Sequence, residues 1–416
     1  MLRSTFLVSP LKRMKSAMNL IFNIFSYLRL YLIMGVALSA ILIGGCSSSA
    51  KRPEIDHTKV KQFATRGYDS GIEYATSMIR LSLNIADECC RVNIVQPSRE
   101  GKYPLVIYLP GLGESSDAGA EMRNAWAKSG YVVLSLQALK DDENIWSSEA
   151  AHNADFEFIR HERYSSEVVS ERLHILTKVI EYLKQRVTSG DSSLQHMDLS
   201  RIAIIGFDIG AKSAMIVAGE EVPNILVSGL PVPVGGVIAL SPYADFSGSA
   251  FDVRYRNINM PVLSITSDTD TDTHVSVPPS LHQAPFQYMP PINKYLLLLT
   301  GATHSVIGDG GRANSNITEK DSNSQHTKPS SNSEGSGSGR GNRHGKRTSN
   351  GGSDSGSPSK QEGGSSPTQR AMMEVVIEQV TTAFLNAYIK SDQISLAWLK
   401  NDAQPWIDKI GQLKEK

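Results

Sequence analysis

Short apolar runs alternate with helical patterns through the middle of the chain. Seven of these runs have the length of buried strands, and apolar residues recur at helical spacing between the third and the fourth. Such alternation favours an α/β fold with a mainly parallel, doubly wound sheet. The predicted strands are residues 91–95, 105–109, 131–136, 201–205, 236–240, 262–265 and 295–299, and the predicted crossover helix carries Val169, Leu173, Leu176, Ile180, Leu183 and Val187.

A polar segment rich in glycine and serine interrupts this pattern at residues 310–370. Of its 61 residues, 27 are Gly or Ser, and only Ala313 and Ile317 are apolar. Such a stretch buries too little apolar surface to offset its chain entropy, so we expect a disordered insert. In residues 371–416, which follow, apolar spacing predicts a single amphipathic helix. Because that helix needs a core to cover, the insert should leave and re-enter one domain, made of residues 46–309 and 371–416.

Residues 1–45 have the pattern of an export signal. Five basic residues and no acid precede an apolar run of 14 residues, which is shorter than the roughly 20 residues of a spanning helix. Gly44, Gly45 and Cys46 follow the run, and they resemble the lipobox of bacterial lipoproteins. The resemblance implies that Cys46 is lipidated and anchors the protein in the cell envelope, at the outer membrane facing the periplasm. An uncleaved N-terminal anchor is the alternative.

Composition limits the partners and cofactors. Lys plus Arg equals Asp plus Glu at 42 each, so the net charge does not favour a nucleic-acid partner. Cys89 and Cys90 are adjacent, and they are either ordinary strand residues or a vicinal disulfide. No CxxC or HExxH spacing occurs, and the ten histidines do not cluster, so we expect neither a metal nor another cofactor.

The candidate chemistry lies after the predicted strands, because ligands of open parallel sheets bind at the carboxyl ends of strands. A glycine-rich turn containing Leu112 follows the second strand. The fourth is followed by Gly206, Phe207, Asp208, Ile209 and Gly210, which has the form of a nucleophile elbow with Asp in place of the usual Ser. Asp268 and Asp270 follow the sixth strand, and His304 follows the seventh. This order of nucleophile, acid and histidine is that of α/β-hydrolases.

At these residues the chain resembles the α/β-hydrolase superfamily, and within it the dienelactone-hydrolase, chlorophyllase and acetylhydrolase-like esterases. The segments that carry the resemblance are YPLVIYLPGLG, RIAIIGFDIGAKSAM, PVLSITSDTD, KYLLLLTGATH and AFLNAYIKSDQISLAWL. The resemblance implies an α/β-hydrolase fold in which Asp208, Asp270 and His304 are the triad, with Asp268 as the second choice of acid. It also implies an oxyanion hole formed by the backbone amides of Leu112 and Ile209.

Asp208 departs from the pattern of those esterases. A carboxylate is already ionised, and its attack on a saturated carbon of an epoxide or alkyl halide gives a stable ester. His304 would then activate water against that ester. Epoxide hydrolases and haloalkane dehalogenases share the superfamily and carry Asp at the elbow, but the dehalogenase pattern has Trp where this chain has Ile209.

Those two families also usually carry a large helical cap, and this chain has no room for one. Only 20 residues separate Leu240 from Pro261, where the cap would be inserted. We expect residues 141–164 and 277–292 to cover the pocket instead. Tyr164, Tyr243 and Tyr288 are the candidate acids for opening an epoxide.

The sequence therefore predicts an exported, lipid-anchored hydrolase of a small organic ester, epoxide or halide. One alternative is a catalytically inactive hydrolase-fold lipoprotein that binds a ligand or organises the envelope. Another is an esterase in which His304 activates water directly and Asp208 acts only by its charge. At the level of residues, Asp208 is a nucleophile or a helix N-cap, and His304 is a base or a buried core residue. In the enzyme interpretations His304 must reach Asp270 and lie close to Asp208.

Overall fold

A computed structural model of the protein describes residues 54–85, 88–225, 229–244, 249–272, 277–308 and 365–416. These residues form an α/β architecture on one nine-stranded, mostly parallel sheet, so the α/β class and the mainly parallel sheet are confirmed. The predicted export signal, the lipidation site Cys46 and the predicted insert as far as residue 364 lie outside the described residues. Within the described ranges, no helix is long and apolar enough to cross a membrane.

The sheet has a parallel centre and antiparallel edges. Its spatial order is β1-β2-β4-β3-β5-β6-β7-β8-β9, and the pairs β1·β2, β2·β4 and β8·β9 are antiparallel. All seven predicted strands are present, and β1 and β9 were not predicted. The strands are β1 (Thr76–Ile85), β2 (Glu88–Pro97), β3 (Tyr103–Leu109), β4 (Val132–Gln137), β5 (Met197–Phe207), β6 (Val234–Leu240), β7 (Val262–Ser267), β8 (Lys294–Leu299) and β9 (Gly411–Glu415).

Helices cover both faces of the sheet. The predicted crossover helix is α6. Ser165 is its N-cap, and the Ser165 side chain accepts a hydrogen bond from the Val168 amide. The helices are α1 (His57–Ala64), α2 (Ala120–Lys128), α3 (Lys140–Glu143), α4 (Glu149–His152), α5 (Phe156–Arg163), α6 (Ser166–Thr188), α7 (Ile209–Ala218), α8 (Phe251–Arg254), α9 (Pro279–Tyr288), α10 (His304–Ile307), α11 (Pro367–Ile389), α12 (Gln393–Asn401) and α13 (Ala403–Ile407).

The core has one layer on each face of the sheet. Residues of β3 alternate between the layers: Leu105 and Ile107 join the layer under α6, and Val106 joins the layer under α11. Every residue of β3 and β4 is buried, as expected for central strands covered on both sides. The carboxyl ends of these strands open on the side where the predicted site residues lie.

The C-terminal region differs from its prediction. Three helices and β9 follow residue 365, instead of a single helix, and α11 begins at Pro367, inside the segment predicted to be disordered. α11 is buried on most of its circumference, because it also packs against α1 and α12. Gln379 of α11, for example, donates a hydrogen bond to the Ala64 carbonyl at 3.0 Å.

Candidate active site

The turn between β5 and α7 holds Asp208 in a strained backbone conformation. Its φ of 52° and ψ of −114° lie in a region that side-chain-bearing residues rarely adopt. A Cβ on Gly206 would lie 2.1 Å from the Gly210 carbonyl oxygen, and one on Gly210 would lie 2.0 Å from the Leu109 carbonyl oxygen. No side chain fits at either position. This sharp strand-turn-helix is the geometry of a nucleophile elbow.

The carboxylate of Asp208 is buried and accepts hydrogen bonds from outside its own helix. The Tyr164 hydroxyl donates to Oδ1 at 2.9 Å and to Oδ2 at 2.7 Å, and the Leu112 amide donates to Oδ2 at 3.2 Å. Asp208 precedes α7, but its side chain makes no capping hydrogen bond to that helix. The geometry therefore does not support the helix-cap interpretation of Asp208.

His304 and Asp270 form the pair that the triad requires. His304 Nδ1 lies 2.9 Å from Asp270 Oδ1, and the Ser241 and Thr266 hydroxyls each donate to Asp270 Oδ2 at 2.7 Å. Burial opposes the charge on Asp270, but the hydrogen bond from His304 and the neighbouring donors lower its pKa below the usual value. Asp268, the second choice of acid, is exposed and accepts a hydrogen bond from the Gly301 amide at 2.7 Å.

The nucleophile candidate and the histidine meet in one cluster. An oxygen of Asp208, an oxygen of Asp272 and a ring nitrogen of His304 lie within 4.8 Å of one another. Because Asp270 holds Nδ1, we infer that the His304 nitrogen facing Asp208 is Nε2. Asp272 was not among the predicted site residues.

The charged groups of this cluster shift one another's pKa values. Burial lowers the pKa of His304, but the hydrogen bond to Asp270 and the charges of Asp208, Asp270 and Asp272 outweigh it and raise that pKa to about 9. Burial and the neighbouring Asp272 raise the pKa of Asp208, against the opposing effects of His304, Tyr164 and Leu112. With a pKa of about 9, His304 carries a proton at neutral pH.

Three groups at this spacing are close enough to share one cation, but their present partners favour a different role. Both Asp208 oxygens already accept hydrogen bonds, and a proton on His304 would compete with any metal ion for Nε2. We therefore interpret Asp208, Asp272 and His304 as a charge-coupled group and assign no metal to them.

The two oxyanion-hole candidates differ in what the structure shows of their amides. The Leu112 amide contacts it directly, and Ile209 is the first residue of α7, where amides have no partner inside the helix. Both side chains pack in a small apolar cluster with residues of the segment that links β4 to α6. Residues 140–164, hereafter the roof segment, therefore cover this side of the site.

The three candidate tyrosines occupy different environments. The Tyr164 hydroxyl contacts Asp208. The Tyr243 ring lies edge-on to the Tyr164 ring, with the two centroids 5.9 Å apart. Burial and the charge of Asp208 raise the pKa of Tyr164 well above its usual value, so its hydroxyl keeps its proton. Tyr288 instead packs against Phe251 and is 44% exposed, so the structure does not bring it to Asp208.

Ser241 and Thr266 were not predicted, although one of them had a sequence signal. Ser241 directly follows β6, so the rule that located the other strand-end residues also applies to it. Thr266 lies inside β7 and has no comparable signal. Among comparisons with known proteins, neither the family models nor the curated proteins give a match to this chain.

Proposed function

We propose that the protein is a hydrolase with an α/β-hydrolase fold, in which Asp208 is a covalent nucleophile. One observation carries the proposal: the Asp208 carboxylate, on a strained strand-to-helix turn, accepts a hydrogen bond from the Leu112 amide and lies beside His304, which is hydrogen-bonded to Asp270. By the resemblance at Cys46, we further propose a lipid-anchored protein of the cell envelope that acts on a small organic molecule.

In the first step, a carboxylate oxygen of Asp208 attacks a saturated carbon and the bond to the leaving group breaks. The Leu112 amide holds Oδ2, which becomes the carbonyl oxygen of the ester, so Oδ1 forms the new bond. Halide leaves as the anion, whereas an epoxide oxygen leaves as an alkoxide and needs a proton. Tyr164 is the nearest protonated donor, and it regains its proton from water.

In the second step, water attacks the ester carbonyl and releases the alcohol. Formation of the ester removes the negative charge of Asp208, which is one cause of the raised pKa of His304. The imidazolium can then lose its proton and act as the base that activates water. The amides of Leu112 and Ile209 would stabilise the tetrahedral oxyanion. As it collapses, the bond to the alkoxide breaks and His304 gives the proton that it took from water to the alkoxide, which leaves as the alcohol. The remaining carboxyl group then passes its proton to His304, which restores the carboxylate and the imidazolium. His304 thus becomes a base only when the intermediate needs one.

A single turnover in ¹⁸O-labelled water tests this sequence of steps. The parent protein, in excess over an epoxide or haloalkane that it turns over, should acquire the label in the peptide that contains Asp208. The product of this first turnover should be unlabelled, because its new oxygen comes from the carboxylate. If the label instead enters the product and the Asp208 peptide stays unlabelled, water attacks the substrate directly and Asp208 acts only by its charge.

A further inference from the structure

One buried guanidinium connects the parts of the fold that supply hydrogen bonds to Asp208. Arg172 lies on α6, and its Nε and Nη2 donate to the two carboxylate oxygens of Asp142 at 3.0 and 2.7 Å. Its Nη1 donates to the Arg163 carbonyl at 3.0 Å. The side chains of Arg172 and Asp142 are only 7% and 9% exposed.

These contacts join both ends of the roof segment. Asp142 lies in α3, at the beginning of the segment, and Arg163 is the last residue of α5, at its end. Tyr164, which donates to both oxygens of Asp208, directly follows Arg163. The guanidinium therefore fixes the backbone from which the Tyr164 side chain extends.

The same ion pair also holds the loop of the proposed oxyanion hole. The Asp142 carbonyl accepts a hydrogen bond from the Gly113 amide at 3.0 Å. Gly113 has a φ of 81°, and it follows Leu112, whose amide donates to Asp208 Oδ2. The two residues that donate to Asp208 are thus neighbours of residues in this network: Leu112 precedes Gly113, and Tyr164 follows Arg163.

A buried ion pair contributes little net stability, because desolvation offsets most of the attraction. Its bidentate geometry, however, fixes the positions of its partners. We propose that Arg172 is a positioning residue that holds the Leu112 amide and the Tyr164 hydroxyl on the Asp208 carboxylate, and so sets the charge state and reactivity of the nucleophile. This inference rests on the proposed role of Asp208.

The test replaces Arg172 with Lys, which keeps the charge but loses the planar fork. Asp142→Asn is a second variant that keeps the shape of the partner. Arg123→Lys is the matched control, because Arg123 is equally buried and also donates to backbone carbonyls, those of Ala118 and Asp117. A cooperative thermal transition establishes that each variant is folded.

The first readout does not need a substrate. In protein labelled with ¹³C at the aspartate carboxyls, the Asp208 resonance is identified by its loss in Asp208→Asn. Weakening the donors to the anion should raise the Asp208 pKa by about one in Arg172→Lys and Asp142→Asn. The pKa should be unchanged in Arg123→Lys. The second readout is the rate of ester formation in a single turnover, which should fall by up to about tenfold at pH values below the Asp208 pKa of the parent, where both proteins are mostly protonated.

The outcomes separate this inference from the proposed function. If the Asp208 pKa rises in both variants although the parent turns over no substrate, the positioning role stands and the proposed chemistry is wrong. If the parent forms the ester and a folded Arg172→Lys protein keeps both its Asp208 pKa and its rate, the positioning role is wrong. An equal change in Arg123→Lys would also overturn it, because any buried arginine would then have the same effect.

Discussion

Replacing Asp208 with Asn should lower the pKa of His304 substantially in the folded protein. Asn keeps the size of the side chain but removes its charge, as ester formation does. The nearest oxygen of Asp208 lies within 4.8 Å of a ring nitrogen of His304. The experiment therefore measures, without any substrate, the change that is proposed to turn His304 into a base.

The size of the effect follows from Coulomb's law. At 4.8 Å, the upper limit of the separation between the two atoms, and at an effective dielectric constant of about 20, two unit charges interact with an energy of about 3.5 kcal/mol. Since about 1.4 kcal/mol corresponds to one pKa unit, the loss of this attraction lowers the His304 pKa by about 2.5. The pKa of about 9 would then fall to about 6.5, a suitable value for a general base at neutral pH.

Titration by NMR of histidine-labelled protein is the assay, and the His304 resonance is identified by its loss in His304→Gln. Asp268→Asn is the matched control, because that carboxylate also follows β7 but is exposed and binds the Gly301 amide. In Asp268→Asn, His304 should titrate with the same pKa as in the parent. If His304 still titrates near 9 in Asp208→Asn, the two groups are not coupled as described and the activation of His304 by ester formation is refuted.

Three further predictions concern stability and location. The pKa of His304 is about 9 in the folded protein and about 6.5 in the unfolded chain. Below pH 6.5 the free energy of unfolding of the parent should therefore exceed that of His304→Gln by about 3 kcal/mol. This difference in unfolding free energy should disappear as the pH rises through 9, and an unchanged difference at pH 10 would contradict the assignment. Replacing residues 310–363 with a short Gly/Ser link should leave the thermal midpoint within a few degrees of the parent value. Ending the chain at Gly308 should instead abolish cooperative unfolding. A truncated protein that unfolds at the parent midpoint would refute the one-domain interpretation. Replacing Cys46 with Ser should release the protein from membranes on fractionation, and a variant that still pellets and resists salt would favour an uncleaved N-terminal anchor.

The central strands were predictable because burial on both faces produces continuous apolar runs. The edges were harder for two different reasons. β1 has Ile79, Leu81, Leu83 and Ile85 in strict alternation with polar residues, so a search for half-buried strands would have found it. β9 has the sequence GQLKE and pairs with β8 through its backbone, so its composition gives no strand signal.

The C-terminal helix was misjudged because its polar residues are buried with partners. Thr381 accepts a hydrogen bond from the Trp126 indole at 3.0 Å, and Asn386 accepts one from the Tyr131 hydroxyl at 2.8 Å. Such pairings depend on tertiary structure and cannot be read from helical periodicity. These residues therefore looked like a solvent face when they in fact contact α2 and the start of β4.

The site shows the same division between local and tertiary information. The glycines around Asp208 and the strand-end positions of Asp270 and His304 are local patterns, and the fold brings these residues together. Arg172 also had a signal, because it lies three residues after Val169 on the apolar face of the crossover helix. Its partners Asp142 and Arg163 lie 30 and 9 residues away, and only the fold shows that one guanidinium joins them.

Accumulation of a covalent ester on Asp208 would test the proposed nucleophile directly. In His304→Gln the first step remains possible, but the base that activates water is missing, so the ester should persist. Intact mass spectrometry after incubation with an epoxide or alkyl halide should show a stoichiometric gain in mass. The gain should map to the peptide that contains Asp208 and be absent in the Asp208→Asn, His304→Gln double variant. If His304→Gln gains no mass with any substrate that the parent turns over, and Asp208→Asn keeps the parent rate, Asp208 is not the nucleophile.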